Sequence, residues 1–173
     1  MKIKADIARA RNEGGEKSLG ERARILIVDD DESIRKTMIA ILQDEGYSVD
    51  TAENGKEAIA KSNMKLYNVA LIDIRLPDIE GTELLTKIRD TTPRMRKILV
   101  TGYPTLSNAI EAVNKKADAY LLKPFEIAKV IETVEDQLKK QTEEMKYSEE
   151  KVTGFIETRV RELEAKEPLR RSG

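Results

Sequence analysis

The sequence predicts an α/β fold: five parallel strands with helices on both faces of the sheet. Two observations carry that prediction. Short apolar runs alternate with segments of helical periodicity along the middle of the chain, which implies parallel strands joined by right-handed crossovers. One of those runs, Val69–Ile72, has no charge at all, as suits a central strand buried on both faces. It ends in a carboxylate, Asp73, and Pro77 forbids the strand from continuing as a paired ladder. In open α/β sheets chemistry sits at the carboxyl edge of the strands, so Asp73 is the first candidate functional residue.

Residues Met1–Arg22 are polar, with Gly14, Gly15 and Gly20 among them, and read as a flexible leader. Ile25–Val28 is a buried strand that ends in Asp29, Asp30 and Asp31. Ser33–Glu45 places Ile34, Met38, Ile41 and Leu42 at helical spacing until Gly46 stops the helix, with Asp31 or Ser33 as its expected N-cap. Tyr47–Thr51 is a short strand, Asn54-Gly55 a turn and Lys56–Asn63 a second helix. After the Asp73 strand, Gly81–Asp90 carries Leu84, Leu85 and Ile88 on one face. Lys97–Val100 is a fourth strand ending in Thr101-Gly102, and Thr105–Lys115 is a helix expected to turn Leu106, Ala109, Ile110 and Val113 inward. Ala119–Leu122 is the fifth strand, closed by Lys123-Pro124-Phe125.

From Glu126 to about Lys166 there is no proline, charges recur at i, i+4, and Pro168 ends the pattern. Such a helix would be about 60 Å long at 1.5 Å per residue, far more than the sheet needs. Ile127, Val130, Ile131 and Val134 suit its sheet-covering turns. Ile131, Val134, Leu138, Met145, Val152 and Phe155 fall on heptad a and d positions, with Gln141 and Ser148 on the other two d positions, which predicts a short coiled coil and self-association. The plan is therefore a leader (1–22), one globular domain (23–138), a helical extension (139–167) and a disordered tail (168–173).

Composition narrows the chemistry. Among 173 residues, 31 basic and 32 acidic side chains nearly cancel, so global charge announces neither nucleic acid nor membrane. There is no cysteine and no histidine, which excludes thiolate and imidazole catalysis and their metal sites. No apolar run approaches a membrane span and the N-terminus lacks a signal-peptide core, so a cytoplasmic protein is expected. Any chemistry must run on carboxylates, hydroxyls and lysines.

Asp29-Asp30, Asp73, Thr101 and Lys123 all sit at strand ends, and a parallel sheet brings strand ends to one edge. Like charges about 4 Å apart cost about 4 kcal/mol at an effective dielectric of 20, so the carboxylates call for a cation. An all-oxygen donor set points to Mg2+, which takes one or two carboxylates, keeps waters and adds a phosphate oxygen. Lys123 would hold a second phosphate oxygen and the Thr101 hydroxyl a third, an arrangement suited to phosphoryl transfer. With no His, Cys or Ser at its centre, the acceptor is a carboxylate, and Asp73 on the central strand is the natural one.

The combination resembles the receiver domain of two-component response regulators. Ile25–Asp31, Leu71–Pro77 with Gly81, Val100-Thr101-Gly102 and Tyr120–Phe125 match that family's motifs in order and spacing, across about Arg24 to Leu138. The resemblance implies a flavodoxin-like fold with strand order 2-1-3-4-5. It implies that Asp73 receives a phosphoryl group from a sensor histidine kinase. Asp30 and Asp73, with Asp29 through water and the Arg75 carbonyl, would hold Mg2+, and Lys123 would pair with the aspartyl phosphate. Thr101 and Tyr120 match the switch pair that repacks the face of the fourth helix, fifth strand and last helix, for homodimerisation or for a downstream protein. Attacking water must pass Arg75 and Tyr103, two residues beyond Asp73 and Thr101, and neither orients a water, so a long-lived phosphorylated state is expected. Lys116 stands where the family usually has glycine, a change expected to alter only a loop. The tail lacks a basic recognition face, so no DNA binding is expected within these residues.

One competing reading is an enzyme, a haloacid-dehalogenase-like phosphatase using Asp29 and Asp31 as Asp-x-Asp. It lacks the further acidic pair after its lysine, since Pro124-Phe125 follows Lys123, and it gives Asp73 no role. A pure interaction module is disfavoured because every expected site residue is present. A nucleotide-binding protein is disfavoured because neither Gly-x-x-x-x-Gly-Lys nor Gly-x-Gly-x-x-Gly occurs.

Overall fold

Alternation along each strand decides which layer of helices a side chain meets. A computed structural model describes residues 23–166 except 90, 92 and 103; the predicted leader, residue 167, the tail and Asp90 lie outside the described residues. Strands β1 (Arg24–Val28), β2 (Ser48–Ala52), β3 (Val69–Asp73), β4 (Arg96–Thr101) and β5 (Ala119–Leu122) form one sheet in the order β2-β1-β3-β4-β5. Every pairing is parallel. The connecting helices are α1 (Glu32–Asp44), α2 (Gly55–Met64), α3 (Gly81–Lys87) and α4 (Leu106–Asn114), and the chain continues into α5 (Ile127–Lys166).

The core has two halves. Ile25, Ile27, Val69, Leu71, Ile98, Val100 and Leu121 project to one face, against Met38 and Leu42 of α1 and Val130 and Val134 of α5. Leu26, Val28, Ala70, Ile72 and Leu99 project to the other, against Ala58, Leu84, Leu85 and Ala112 of α2, α3 and α4. Each fully buried aliphatic side chain contributes about 1.5–3 kcal/mol, so the sheet is held from both sides. As expected for a central strand, all five residues of β3 are buried.

Caps fix where the helices begin and end. The Asp31 carboxylate accepts from the amides of Ser33 and Ile34 at 2.8 and 3.2 Å, which starts α1 directly behind β1. At its other end the amide of Gly46 donates to the Gln43 carbonyl and that of Tyr47 to the Leu42 carbonyl, with Gly46 at φ 88°. The same pair of bonds closes α4, from Lys116 to Val113 and from Ala117 to Ala112, but the left-handed position there is filled by Lys116 at φ 63°. The departure noted in the sequence thus has a conformational consequence.

Three expectations are corrected. Leu106, Ile110 and Val113 of α4 are 79%, 52% and 77% exposed, Ala109 is exposed as well, and Ala112 is the buried position. An apolar stripe does not say whether it meets the core or the solvent; here the smaller side chain allows α4 to lie close to the sheet. Helix α3 stops at Lys87, yet Ile88, now extended, stays buried in the core. The predicted coiled-coil seam does not run the length of the last helix. Val134 and Gln141 are buried against the domain, Gln141 being only 4% exposed. The Gln141 amide donates to the carbonyls of Arg94 and Asn68 at 2.7 and 3.2 Å and accepts from the Asn68 amide at 3.0 Å. Three residues on, Glu144 lies 2.7 Å from buried Arg96. Sheet-covering and coiled-coil stripes have nearly the same period, so the sequence pattern alone does not separate them. Beyond Glu144 every described side chain as far as Leu163 is exposed, Met145, Val152 and Phe155 among them.

Lys116→Gly removes a left-handed penalty of about 1–2 kcal/mol, partly offset by the greater freedom of glycine in the unfolded chain. The expected result is a thermal midpoint raised by about 2–4 °C, checked by calorimetry.

Candidate functional site

Strand register assembles the site. Val28 pairs with Ile72, so Asp29 and Asp73 leave the sheet side by side on its carboxyl edge; Asp73 pairs with Val100 and Val100 with Leu121, so Lys123 lies two residues beyond that level at the end of β5. The Lys123 ammonium lies 2.7 Å from Asp29 Oδ2 and 2.7 Å from Asp73 Oδ2. The remaining oxygens are held locally: Asp29 Oδ1 accepts from the Asp31 amide at 2.9 Å and Asp73 Oδ1 from the Arg75 amide at 3.1 Å. Asp30 is exposed, and its carboxylate completes a cluster in which oxygens of Asp29, Asp30 and Asp73 lie within 4.8 Å of one another. Three hard oxygen donors at that separation fit a small divalent cation.

The electrostatics follow from burial. Desolvation raises the Asp29 pKa above its ordinary 3.8, and hydrogen bonds from Lys123 and the Asp31 amide only partly oppose this. Burial alone would lower the Lys123 pKa, but its bonds to Asp29 and Asp73 outweigh burial and raise it. Lys123 is therefore a fixed positive charge.

Supporting residues escaped the sequence reading. Arg35, buried on α1, donates to the Asp29 carbonyl at 2.7 Å and pairs with Glu53 at 2.8 Å. A charged residue on an otherwise apolar helix face was the available signal. Asp78, in the loop after β3, accepts from the amides of Gly55 and Lys56 at 2.8 and 2.9 Å, tying that loop to the start of α2. The Gly55 amide is the main reason that the Asp78 carboxyl titrates below its usual range. Gly81 is required by close approach, since a Cβ there would lie 2.1 Å from the Asp73 carbonyl oxygen. Its amide donates to the Ile74 carbonyl at 2.7 Å and seats α3 against the pocket floor.

Thr101 closes β4, is 1% exposed, and accepts through its carbonyl from the Lys123 amide at 2.7 Å. Tyr120 is half-buried on β5, its ring packed against the core half that faces α2, α3 and α4. Its hydroxyl is buried without a hydrogen-bond partner among the described residues, and burial raises its pKa. Arg75 is exposed beside the pocket, and Tyr103 lies outside the described residues. The Asp-x-Asp alternative finds Asp31 engaged as a helix cap, while Asp29 shares Lys123 with Asp73.

The sequence model of the response regulator receiver domain matches residues 25–135. The chain belongs to that family. As a receiver domain it is 35% identical over 119 residues to the transcriptional regulatory protein ZraR of Klebsiella oxytoca, covering 69% of this chain and 27% of that protein. It is 36% identical over 115 residues to the DNA-binding transcriptional regulator NtrC of Salmonella typhimurium, covering 66% and 24%. The chain thus spans about a quarter of the length of these curated relatives. Among solved structures, a CheY-like receiver domain from Methanospirillum hungatei superposes with a TM-score of 0.69 at 44% identity, covering 72% of this chain and 99% of that one. The response regulator TrrA of Thermotoga maritima, solved in complex with Mg(2+)-BeF, superposes with 0.60 at 36% identity, covering 66% and 98%. The flavodoxin-like fold expected of this receiver domain is the fold observed. Among the described residues no helix is long and apolar enough to cross a membrane.

Because the Asp29 pKa is raised on folding, the native state holds this proton more tightly than the unfolded chain does. Its contribution to stability is full below the ordinary 3.8 and is lost as pH rises through the folded value. Asp29→Asn should therefore match the parent below pH 3.8 and exceed it in thermal midpoint as pH rises above that, the margin levelling off once the folded carboxyl has ionised, measured by calorimetry at a series of pH values.

Proposed function

We propose that this receiver domain is a phosphorylation-dependent switch of a two-component system, in which Asp73 accepts a phosphoryl group from the phosphohistidine of a sensor histidine kinase. The observation that carries the reading is the Lys123 ammonium shared between Asp29 and Asp73 at 2.7 Å each. A carboxylate oxygen of Asp73 attacks phosphorus in line; the P–O bond forms as the P–N bond to the kinase imidazole breaks. Lys123 then exchanges Asp73 for a phosphoryl oxygen and neutralises part of the incoming charge. Asp30, Asp73, Asp29 through a water and the Arg75 carbonyl would hold Mg2+. Bound there, the ion would neutralise the carboxylates and draw charge from the phosphoryl oxygens. The Mg(2+)-BeF complex of TrrA supports this assignment by similarity.

Thr101 and Tyr120 are assigned the switch. A buried hydroxyl without a partner costs roughly 1–3 kcal/mol, so an outward rotation that wets the Tyr120 hydroxyl regains this while giving up the packing of its ring. The exposed Leu106, Ile110, Leu122 and Ile127 on α4, β5 and α5 give the switch a surface for a second copy or a downstream protein. On this reading the chain acts on no substrate beyond its own phosphoryl transfer and slow hydrolysis, and it works in the cytoplasm. Residues 23–138 form the receiver unit, and its helical extension runs on from residue 139.

Two outcomes test the proposal. Incubation with acetyl phosphate and Mg2+ should add one phosphoryl group by intact mass, lost with EDTA and absent in Asp73→Asn. Labelling that survives Asp73→Asn but not Asp29→Asn would favour the phosphatase reading. Separately, Arg75→Asn should shorten the phosphorylated state several-fold by offering an amide that orients water, read from the decay of the labelled mass.

A further inference from the structure

Past Glu144, α5 carries a stripe with an internal symmetry. Met145, Val152, Ile156 and Leu163 lie on one face at intervals of seven, four and seven residues, and all four are exposed. The two gaps are filled by Glu149, four residues after Met145, and Arg159, four residues before Leu163. Read backwards from Leu163, the apolar spacing is the same and the two charges are exchanged. The centre of the pattern is Gly154. It sits on the opposite side of the helix, so its missing side chain leaves no gap in the stripe.

We propose that two copies of this chain join through this stripe as an antiparallel helical pair centred on Gly154. The alignment sets Met145 against Leu163 of the second copy, Val152 against Ile156, and Glu149 against Arg159. A parallel pair in register would instead set Glu149 against Glu149 and Arg159 against Arg159 inside an apolar seam. Charge decides the direction, because both charged layers are attractive in one orientation and repulsive in the other. Among the described residues Arg159 pairs with exposed Glu162 at 2.9 Å, one turn away on its own helix, a contact of a few tenths of a kcal/mol that does not hold it back. Phe155, exposed on the flank one residue from the dyad, would meet its own copy. The fit to the domain is also consistent. Lys166, the last described residue of α5, falls level with Thr142 of the second copy, just beyond Gln141, where that helix leaves its sheet. The pair therefore uses the whole free segment, about 27 Å from Met145 to Leu163, and places the two domains at opposite ends.

This pairing deepens the partner reading above and is independent of the chemistry assigned to Asp73. The chain has no cysteine, so single introduced thiols report without background. Met145→Cys and Leu163→Cys, prepared separately in the full chain and mixed under mild oxidation, should give a disulfide dimer of one with the other. Neither alone should cross-link, because equal positions lie about 27 Å apart in the antiparallel pair. Sedimentation of the unmodified chain should show mass doubling with concentration. Glu149→Arg or Arg159→Glu alone should weaken the dimer at least tenfold, and the double exchange should restore it. Cross-linking of Met145→Cys with itself, charge variants that leave the mass unchanged, or a monomer at all concentrations would overturn the proposal. Asp73→Asn should cross-link as the parent does, which separates failure of this pairing from failure of the phosphorylation reading.

Discussion

The structure depends on one ammonium held between two carboxylates. The parallel register delivers Asp29 and Asp73 to adjacent strand ends, and both are buried. Like charges at contact range repel by about 4 kcal/mol at an effective dielectric of 20, on top of the cost of burying each. Lys123 answers both with a single group, bonded to each at 2.7 Å. With Asp30 beside them, three carboxylates face one ammonium, and the pocket stays net negative. That residual charge suits a cation, and the shared lysine is a group that a dianionic phosphoryl can recruit. Arg35, Gly81 and Asp78 serve this arrangement by fixing the backbone of the loops that carry the carboxylates.

The opposite edge of the sheet is organised by polar groups as well. Asn68 and Arg94 precede β3 and β4, and Gln141 binds both. Beside them Asp118 accepts from Arg94 at 2.6 Å, from Arg96 at 3.0 Å and from the Lys97 amide at 2.8 Å, while Arg96 also approaches Glu144. A helix resting only on Val130 and Val134 could slip by a turn at modest cost, because apolar contact is not directional. The bonds of Gln141 are directional, and they fix both the register of α5 and the point at which it leaves the domain. Buried Arg96 is tolerable because Asp118 and Glu144 approach it from two sides.

The acidic pocket was legible in the sequence because it is written at strand ends. Asp29, Asp73, Thr101 and Lys123 each close an apolar run, and a parallel sheet leaves them nowhere else to meet. Strand order came from the family resemblance, since alternation of strands and helices fixes a parallel sheet but not its order. The α4 stripe was misread because Leu106, Ile110 and Val113 have the spacing of a core face, and only the neighbouring surface shows that Ala112 is the one that packs. In the sequence Gln141 occupies a heptad d position; its function as a latch depends on carbonyls of residues 68 and 94, far away in sequence. Arg35 is marked locally only by its place on an apolar face, where a guanidinium usually reaches solvent; that Asp29 and Glu53 receive it is set by the fold.

The two halves of the core separate what the proposed switch moves from what it leaves in place. Tyr120 and α4 belong to the half that faces α2 and α3, whereas α5 rests on the other half, with Ile27, Leu71, Val100 and Leu121. Its latch lies on the far edge of the sheet, at the opposite end of β3 from Asp73, a strand of five residues and roughly 17 Å. A rearrangement of Tyr120 and α4 therefore need not loosen Val130, Val134 or Gln141. On the proposed reading, phosphoryl-dependent recognition would fall to the exposed residues of α4, β5 and the first turn of α5, and the free part of α5 would keep its direction in either state. The pairing of two α5 helices would then hold two receiver domains at a fixed separation, each free to be written and read at its own carboxyl edge.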